Sequence, residues 1–237
     1  MAGIIFFFNR NFLKTTLAPE KSTTISLQEK TITDNTKPFI IEIIYPQIAG
    51  FDDFNQKAKS IIDKEIAEFK KSSLENDNAV KENDPESYTK YPREYALSIG
   101  YNKGQIDNNI VSIVFNVYNY EGGAHGASYF VPLNYDIKNK KEIALVDLFG
   151  APSALQEHYL QKISDFCIQD LTKQIIASAG STEGTWISDG AGPVAENFQF
   201  FLINPSTSSG QATITFYFPQ YQVAYGAAGD FKVTMPR

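Results

Sequence analysis

An α+β fold, with antiparallel sheets each packed against a long helix, is what this 237-residue sequence predicts. Three observations lead there. Apolar residues recur at helical spacing in two stretches, around residues 54–69 and 155–175. The segments around them alternate apolar and polar residues, and many of the 18 Phe and 13 Tyr fall in such runs. Most links between consecutive strands are too short for a crossover helix, which points to antiparallel pairing. The expected order is strand, helix, strands, helix, strands.

The first strand is read at residues 39–45, where Phe39, Ile40, Ile41, Ile43 and Ile44 form a mostly β-branched run that Pro46 should stop. Gly50 opens a turn, and Asp52 or Asp53 is placed to cap the free N–H groups of a helix. Phe54, Ala58, Ile61, Ile62, Ile66 and Phe69 form its apolar stripe, with Lys57, Lys59, Asp63, Lys64 and Glu68 between them. Residues 72–92 are polar, contain Asn76, Asp77, Asn83, Asp84 and Pro85, and read as a surface loop or frayed helix end. Strands follow at residues 94–102, 109–120 and 128–136, with turns at Lys103-Gly104-Gln105 and Lys138-Asn139-Lys140-Lys141.

Residues 143–149 lead into the second helix. Ser153 is its N-cap, and Gln156 three residues later completes a capping box. Leu155, Tyr159, Ile163, Phe166, Cys167, Leu171 and Ile175 form the stripe, and Gly180 stops it. Residues 178–192 are a glycine- and serine-rich link interrupted by Trp186 and Ile187. The last strands are read at residues 198–203, 213–218 and 231–235, with Ile214, Phe216 and Phe218 on one face.

Composition narrows the function classes. The chain is 43% hydrophobic and 20% charged, enough apolar content for a real core. A net charge of −6 disfavours nucleic acid as a partner. One cysteine, Cys167, permits no intrachain disulfide, and its place on an apolar stripe reads as a small buried hydrophobe. The two histidines, His125 and His158, lack metal-ligand spacing, so no metal or cofactor is expected. No G-x-S-x-G, Walker A or dinucleotide fingerprint occurs. The carboxylate pairs Glu65 with Glu68 and Asp84 with Glu86 read as surface groups. No catalytic residue is assigned, and the chain is read as a non-enzyme; the alternatives are a cell-wall-active hydrolase or deacetylase-associated domain, with His125 and a nearby carboxylate as acid and base, and a structural envelope protein without a small ligand.

Residues 1–8 are apolar but too short to span a bilayer, and they lack the flanks of a complete signal peptide. They read as the outer end of a membrane anchor, or alternatively as an ordinary N-terminal strand. The Thr-, Ser-, Lys- and Glu-rich residues 17–37 read as a tether, and ordered structure is expected from near Phe39. The expected organisation is an anchor stub and tether at 1–31, an N-terminal α+β half at 32–150 and a C-terminal half at 151–237, packed as one unit.

Two segments are candidate binding loops. In Tyr120-Glu121-Gly122-Gly123-Ala124-His125-Gly126, three glycines permit close backbone approach. His125 could contact a ligand there, or hold the turn by bonding loop carbonyls. In residues 218–229, Tyr221 and Tyr225 stand among small residues and could form a stacking surface for sugars, or a packed bend between core strands. Gly122, Gly123, His125, Gly126, Tyr221 and Tyr225 are thus the candidate ligand- or partner-binding residues.

These loops also carry a resemblance. The Gly122-Gly123-Ala124-His125-Gly126 loop, Asp147-Leu148-Phe149 before the second helix and Asn197-Phe198 are three of its marks. The fourth is the ending Phe216-Tyr217-Phe218-Pro219-Gln220-Tyr221-Gln222-Val223-Ala224 with Ala227-Ala228-Gly229. Together they resemble the bacterial extracytoplasmic DUF4163/DUF3298 domains of the RsiV and PdaC type, over about residues 32–236. One departure stands out: where the family usually has proline after Val-Ala, this chain has Tyr225 and then Gly226. The resemblance implies a module outside the membrane, tethered at its N-terminus, whose ligand is a lysozyme-like basic protein or peptidoglycan glycan. It implies no catalysis, because the metal-binding Asp and paired histidines of the family's deacetylase domain have no counterpart here.

Overall fold

The protein is described here by a computed structural model that covers residues 25–91, 93–149, 156–206 and 210–237. Six strands lie side by side in chain order: β1 (Leu27–Asp34), β2 (Phe39–Ile48), β3 (Tyr95–Ile106), β4 (Ile110–Tyr120), β5 (Ala127–Asp136) and β6 (Lys141–Glu142). A second sheet holds β7 (Phe201–Ile203), β8 (Thr213–Phe218) and β9 (Phe231–Pro236). The helices are α1 (Asp52–Asn83), α2 (Pro85–Lys90), α3 (Gln156–Ala179) and the single turn α4 (Ile187–Gly190). The fold is α+β, as the sequence predicts.

Each sheet buries one face against a long helix. In the first core, Phe54, Ala58, Ile62 and Phe69 of α1 meet Ile41, Ile43, Leu97, Ile99, Ile113 and Phe115. In the second, Ile163, Cys167, Leu171 and Ile175 of α3 meet Ile214, Phe216, Phe218 and Val233. Leu160 joins this stripe, whereas Phe166 turns outward and is 37% exposed. The expected cap Ser153 and stripe residue Leu155 lie outside the described residues, as does the side chain of Gln156.

The first sheet departs from the all-antiparallel expectation. β2 and β3 are parallel, because α1 lies between them and returns the chain to the end from which β2 began. All other pairs are antiparallel. Order also begins earlier than expected: residues 27–34 form β1, pairing with β2 from Leu27↔Ile48 to Asp34↔Ile41. Its polarity is that of an edge strand held by its backbone ladder, with only a few side chains such as Ile32 reaching the core. The expected anchor at residues 1–8 lies outside the described residues.

Pro46 does not end β2. Pairing with β3 stops at Ile43↔Ile99, so Pro46, opposite Glu29, has β1 alone as a neighbour, where a missing N–H is tolerated. Nor do Asp52 and Asp53 cap α1. Both lie inside its first turn, where their charge suits the helix dipole. Asn55 fastens the entry instead, accepting from Ile48 N and donating to Ile48 O at 2.8 Å each.

The stretch read as a loop after residue 72 is helical to Asn83. Its polar residues reach neighbouring elements, as the next section describes. β3 likewise runs through Lys103-Gly104-Gln105, and the turn falls at residues 107–109, where Asp107 Oδ1 accepts from the N–H groups of Asn109 and Ile110 at 2.8 Å. Gly104 is required for another reason: a methyl group there would sit 2.2 Å from Ile203 O. At residues 198–203, Phe198 belongs to a 3-10 turn and only Phe201–Ile203 is strand.

The two halves meet where β7 crosses the outer face of the first sheet. Val114 and Phe130 pack on Leu202 and Tyr217. The free edge of β7 is satisfied by side chains rather than by another strand. Asn134 Nδ2 donates to Phe201 O (3.0 Å), and Ile203 N donates to Ser112 Oγ (2.8 Å). Ser112 Oγ in turn donates to Asn134 Oδ1 (2.6 Å), its direct cross-strand partner.

Candidate ligand-binding site

The glycine loop after β4 packs down onto the end of α1. Asn76 Nδ2 donates to Glu121 O at 3.2 Å. Gly122 has φ +89°, and a methyl group there would meet the Tyr95 ring at 2.9 Å. Tyr95 is fully buried, and its hydroxyl donates to Asp77 Oδ1 at 2.5 Å. Tyr88 donates to the other oxygen of Asp77 at 3.1 Å. Burial, and then the Asp77 carboxylate, push the Tyr95 hydroxyl up to about 12. Gly126 faces the Tyr118 ring, where a methyl group would lie 2.4 Å from the hydroxyl. His125 is exposed, and its Nδ1 lies 3.0 Å from Gly126 O, so the ring donates within its own loop. Gly123 makes no approach closer than 3.7 Å for an added methyl.

The bend between β8 and β9 is built differently. Tyr221 has φ +68°, in the left-handed region that costs a side-chain-bearing residue about 1 kcal/mol or more. Its carbonyl accepts from Trp186 Nε1 at 2.8 Å, and Trp186 N donates to Val223 O at 3.0 Å. Gln222 Nε2 donates to Gly190 O and Asn197 O at 2.8 and 2.9 Å, and Gln220 Nε2 donates to Gly226 O at 3.1 Å. The Tyr221 ring lies on Gly226, where a methyl group would be 2.2 Å from a ring carbon. That contact explains glycine after Tyr225.

The result is a group of outward-facing aromatics on a hydrogen-bonded bend: Tyr221 is 58% exposed, Tyr225 44% and Trp186 37%. Beside them lies a recess of about 300 Å³, which Tyr225 shares with Ser178, Ser181, Glu183 and Thr185. Rings of this kind offer flat faces for stacking, and the hydroxyls and carboxylate can bond a polyol.

The six residues singled out from the sequence therefore fall into two sets. Gly122, Gly123, His125 and Gly126 belong to the first sheet and the end of α1, whereas Tyr221 and Tyr225 belong to the second sheet. Trp186, not singled out from the sequence, stands beside Tyr221. Its signal was a lone tryptophan inside a glycine- and serine-rich link. Among the described residues, no group of three or more His, Cys, Asp or Glu is placed to share a metal ion. Burial pushes the Cys167 thiol up to about 12, with Asp170 adding to it, which removes its nucleophilic form at neutral pH.

Residues 32–128 match the family model described as Deacetylase PdaC, and residues 147–237 match that described as Protein of unknown function (DUF3298). The chain belongs to the DUF3298/PdaC-type family. Among curated relatives of this type is the peptidoglycan-N-acetylmuramic acid deacetylase PdaC of Bacillus subtilis (strain 168), 27% identical over 241 residues. The match covers 100% of this chain and 46% of the relative, so the chain spans about half of that protein's length. A crystal structure of a DUF3298 family member from Bacteroides fragilis NCTC 9343 superposes with a TM-score of 0.60 at 16% identity, over 91% of each chain. A DUF3298 family protein from Pseudomonas aeruginosa PAO1 gives 0.55 at 13% identity, over 91% of this chain and 92% of that one. At such identities the likeness is one of DUF3298-type fold. No helix among the described residues is long and apolar enough to cross a membrane.

Proposed function

We propose that this chain is a non-catalytic extracytoplasmic recognition module that binds cell-wall glycan on the patch formed by Trp186, Tyr221 and Tyr225. The observation that carries the reading is Tyr221: strained, exposed, and fixed by Trp186 at its carbonyl and by Gly226 under its ring. Backbone strain held at an exposed aromatic supports a functional reading. The relative's name places that protein in peptidoglycan chemistry, which supports a wall ligand and a location outside the cytoplasm. On this proposal the residues of this chain bind and do not deacetylate. The recess beside the patch is lined by one carboxylate, Glu183, and by no histidine or thiol. An N-terminal anchor preceding β1 is part of the same proposal.

Titration with soluble peptidoglycan glycan tests it. Trp186→Ala and Tyr221→Ala should each weaken binding about tenfold, equivalent to about 1.4 kcal/mol. Retention of full affinity by both variants rejects the patch. A second reading, a basic lysozyme-like protein as ligand, is favoured by the net charge of −6. Its affinity should fall steeply as salt is raised, whereas stacking on aromatic rings should not.

A further inference from the structure

The outer face of the six-stranded sheet is only partly covered by the second half. Past the contact of Leu202 and Tyr217 with Val114 and Phe130, a groove of about 590 Å³ opens, bordered by Ile44, Gly100, Asn102, Lys103, Leu202 and Tyr217. It lies where β2 and β3 cease to pair, beyond Ile43↔Ile99.

Gly100 sits inside β3, opposite Asn116 of β4. Glycine in a strand interior weakens the strand, and it is retained for a positive φ, a bulge, or the close approach of another group. The first two reasons fail here. Its φ is not positive, and the ladder is regular through it, the irregularity falling between Lys103 and Ile106. A methyl group on Gly100 would meet nothing within 4 Å, in contrast to Gly104 four residues on, which is pressed against Ile203 O. Gly100 therefore keeps space free on the groove floor, space that no described residue fills.

The surroundings indicate its chemistry. Asn102, on the groove lining, donates from Nδ2 to Asn116 Oδ1 at 2.9 Å, a bond that leaves its own amide oxygen able to accept. That oxygen can take the N–H of an acetamido group. The charges point to a neutral or acidic ligand in spite of the chain's net −6. Lys103 borders the groove, and Lys232 Nζ stands 5.1 Å from the Tyr217 ring centroid. The one carboxylate, Glu29, is engaged by the Tyr101 hydroxyl at 3.0 Å. The volume falls in the range of small-ligand sites.

We infer that this groove is a second carbohydrate subsite, which seats a short acetamido oligosaccharide bearing a carboxylate across Gly100. The choice of ligand rests on the glycan reading above, but the residues are different and belong to the other sheet.

The test is amide NMR of the intact chain, titrated in separate arms with peptide-free N-acetylmuramic acid-containing tetrasaccharide, neutral N-acetylglucosamine tetramer and the isolated stem peptide. The side-chain amides of Asn102 and Asn116 should shift with the acidic glycan, more weakly with the neutral one, and not with the peptide. Gly100→Val, whose Cβ would have no described neighbour within 4 Å and whose branched side chain suits a strand, should keep the melting temperature and lose these shifts, with affinity at the groove down at least tenfold. Shifts at the Trp186 indole without shifts at Asn102 and Asn116 would overturn the inference and leave the aromatic patch standing. The converse pattern would uphold the groove and reject the patch. Equal shifts in wild type and Gly100→Val, or a response to the stem peptide alone, would also overturn it. Because the wild-type titration needs no variant, a misfolded Gly100→Val protein would not remove the test.

Discussion

Replacing Asn134 by Ala should damage the joint between the two halves more than any single apolar contact there would suggest. Asn134 is 4% exposed and serves two partners, donating to Phe201 O and accepting from Ser112 Oγ. Alanine leaves the buried Phe201 carbonyl without a donor and the Ser112 hydroxyl without its acceptor. Each orphaned buried group costs about 1–3 kcal/mol, so the loss should be about 2–6 kcal/mol out of a typical domain stability of about 5–15 kcal/mol. Ser112→Ala orphans both the Ile203 N–H, which is fully buried, and the Asn134 amide oxygen, and should cost about 2–6 kcal/mol. The three bonds form one chain in which Asn134 and Ser112 are partners, so the double variant should lose less than the sum, by about 0.5 kcal/mol or more. Urea unfolding followed by tyrosine fluorescence and by far-ultraviolet circular dichroism measures all three. Two separated transitions in Asn134→Ala would show that this joint is what makes the halves unfold together. A loss below about 0.5 kcal/mol for Asn134→Ala would refute the reasoning, because it would mean that water reaches the edge of β7.

Gly226→Ala should leave the melting temperature within a few degrees, since the obstructing atoms are the end of the Tyr221 side chain, yet it should displace that ring and weaken glycan binding about tenfold in calorimetry. At high pH, Tyr95 and Tyr101, each pushed up to about 12 by burial first and by a carboxylate second, and Tyr129, raised by burial and its bond to Glu65, should resist ionisation. Their neutral forms are favoured in the fold, so stability should be intact below about pH 10 and fall as pH rises through 12. Absorbance at 295 nm should then show these phenols ionising together with unfolding. The Cys167 thiol, fully buried, should be inert to a thiol reagent at pH 8 in the native protein and react fully in denaturant.

Much of the fold was legible because the period of apolar residues reports which face is buried. β8 was read to the residue, since its three-point face of Ile214, Phe216 and Phe218 is fully buried. Elements whose partners are distant were harder to read. β1 is polar because it is an edge, and the last three turns of α1 are polar because Asn76 and Asp77 bond Glu121, Tyr88 and Tyr95. A turn signal such as Lys103-Gly104-Gln105 misled because Gly104 answers to Ile203, 99 residues away in the chain. At the candidate site, Tyr221 and Tyr225 were found as aromatics among small residues. Trp186 was not, because its place beside Tyr221 comes from a fold-level bond between two loops. Gly100 gave no signal at all, since only the empty space above it distinguishes it from any strand glycine.

Calorimetric titration of the intact chain with N-acetylmuramic acid-containing glycan, wild type beside Trp186→Ala, tests the assignment of recognition to this surface most directly. Saturable binding in the wild type that weakens about tenfold in the variant, at an unchanged melting temperature, is the predicted result. Absence of any binding at about 100 μM, or identical isotherms for both proteins, would contradict it.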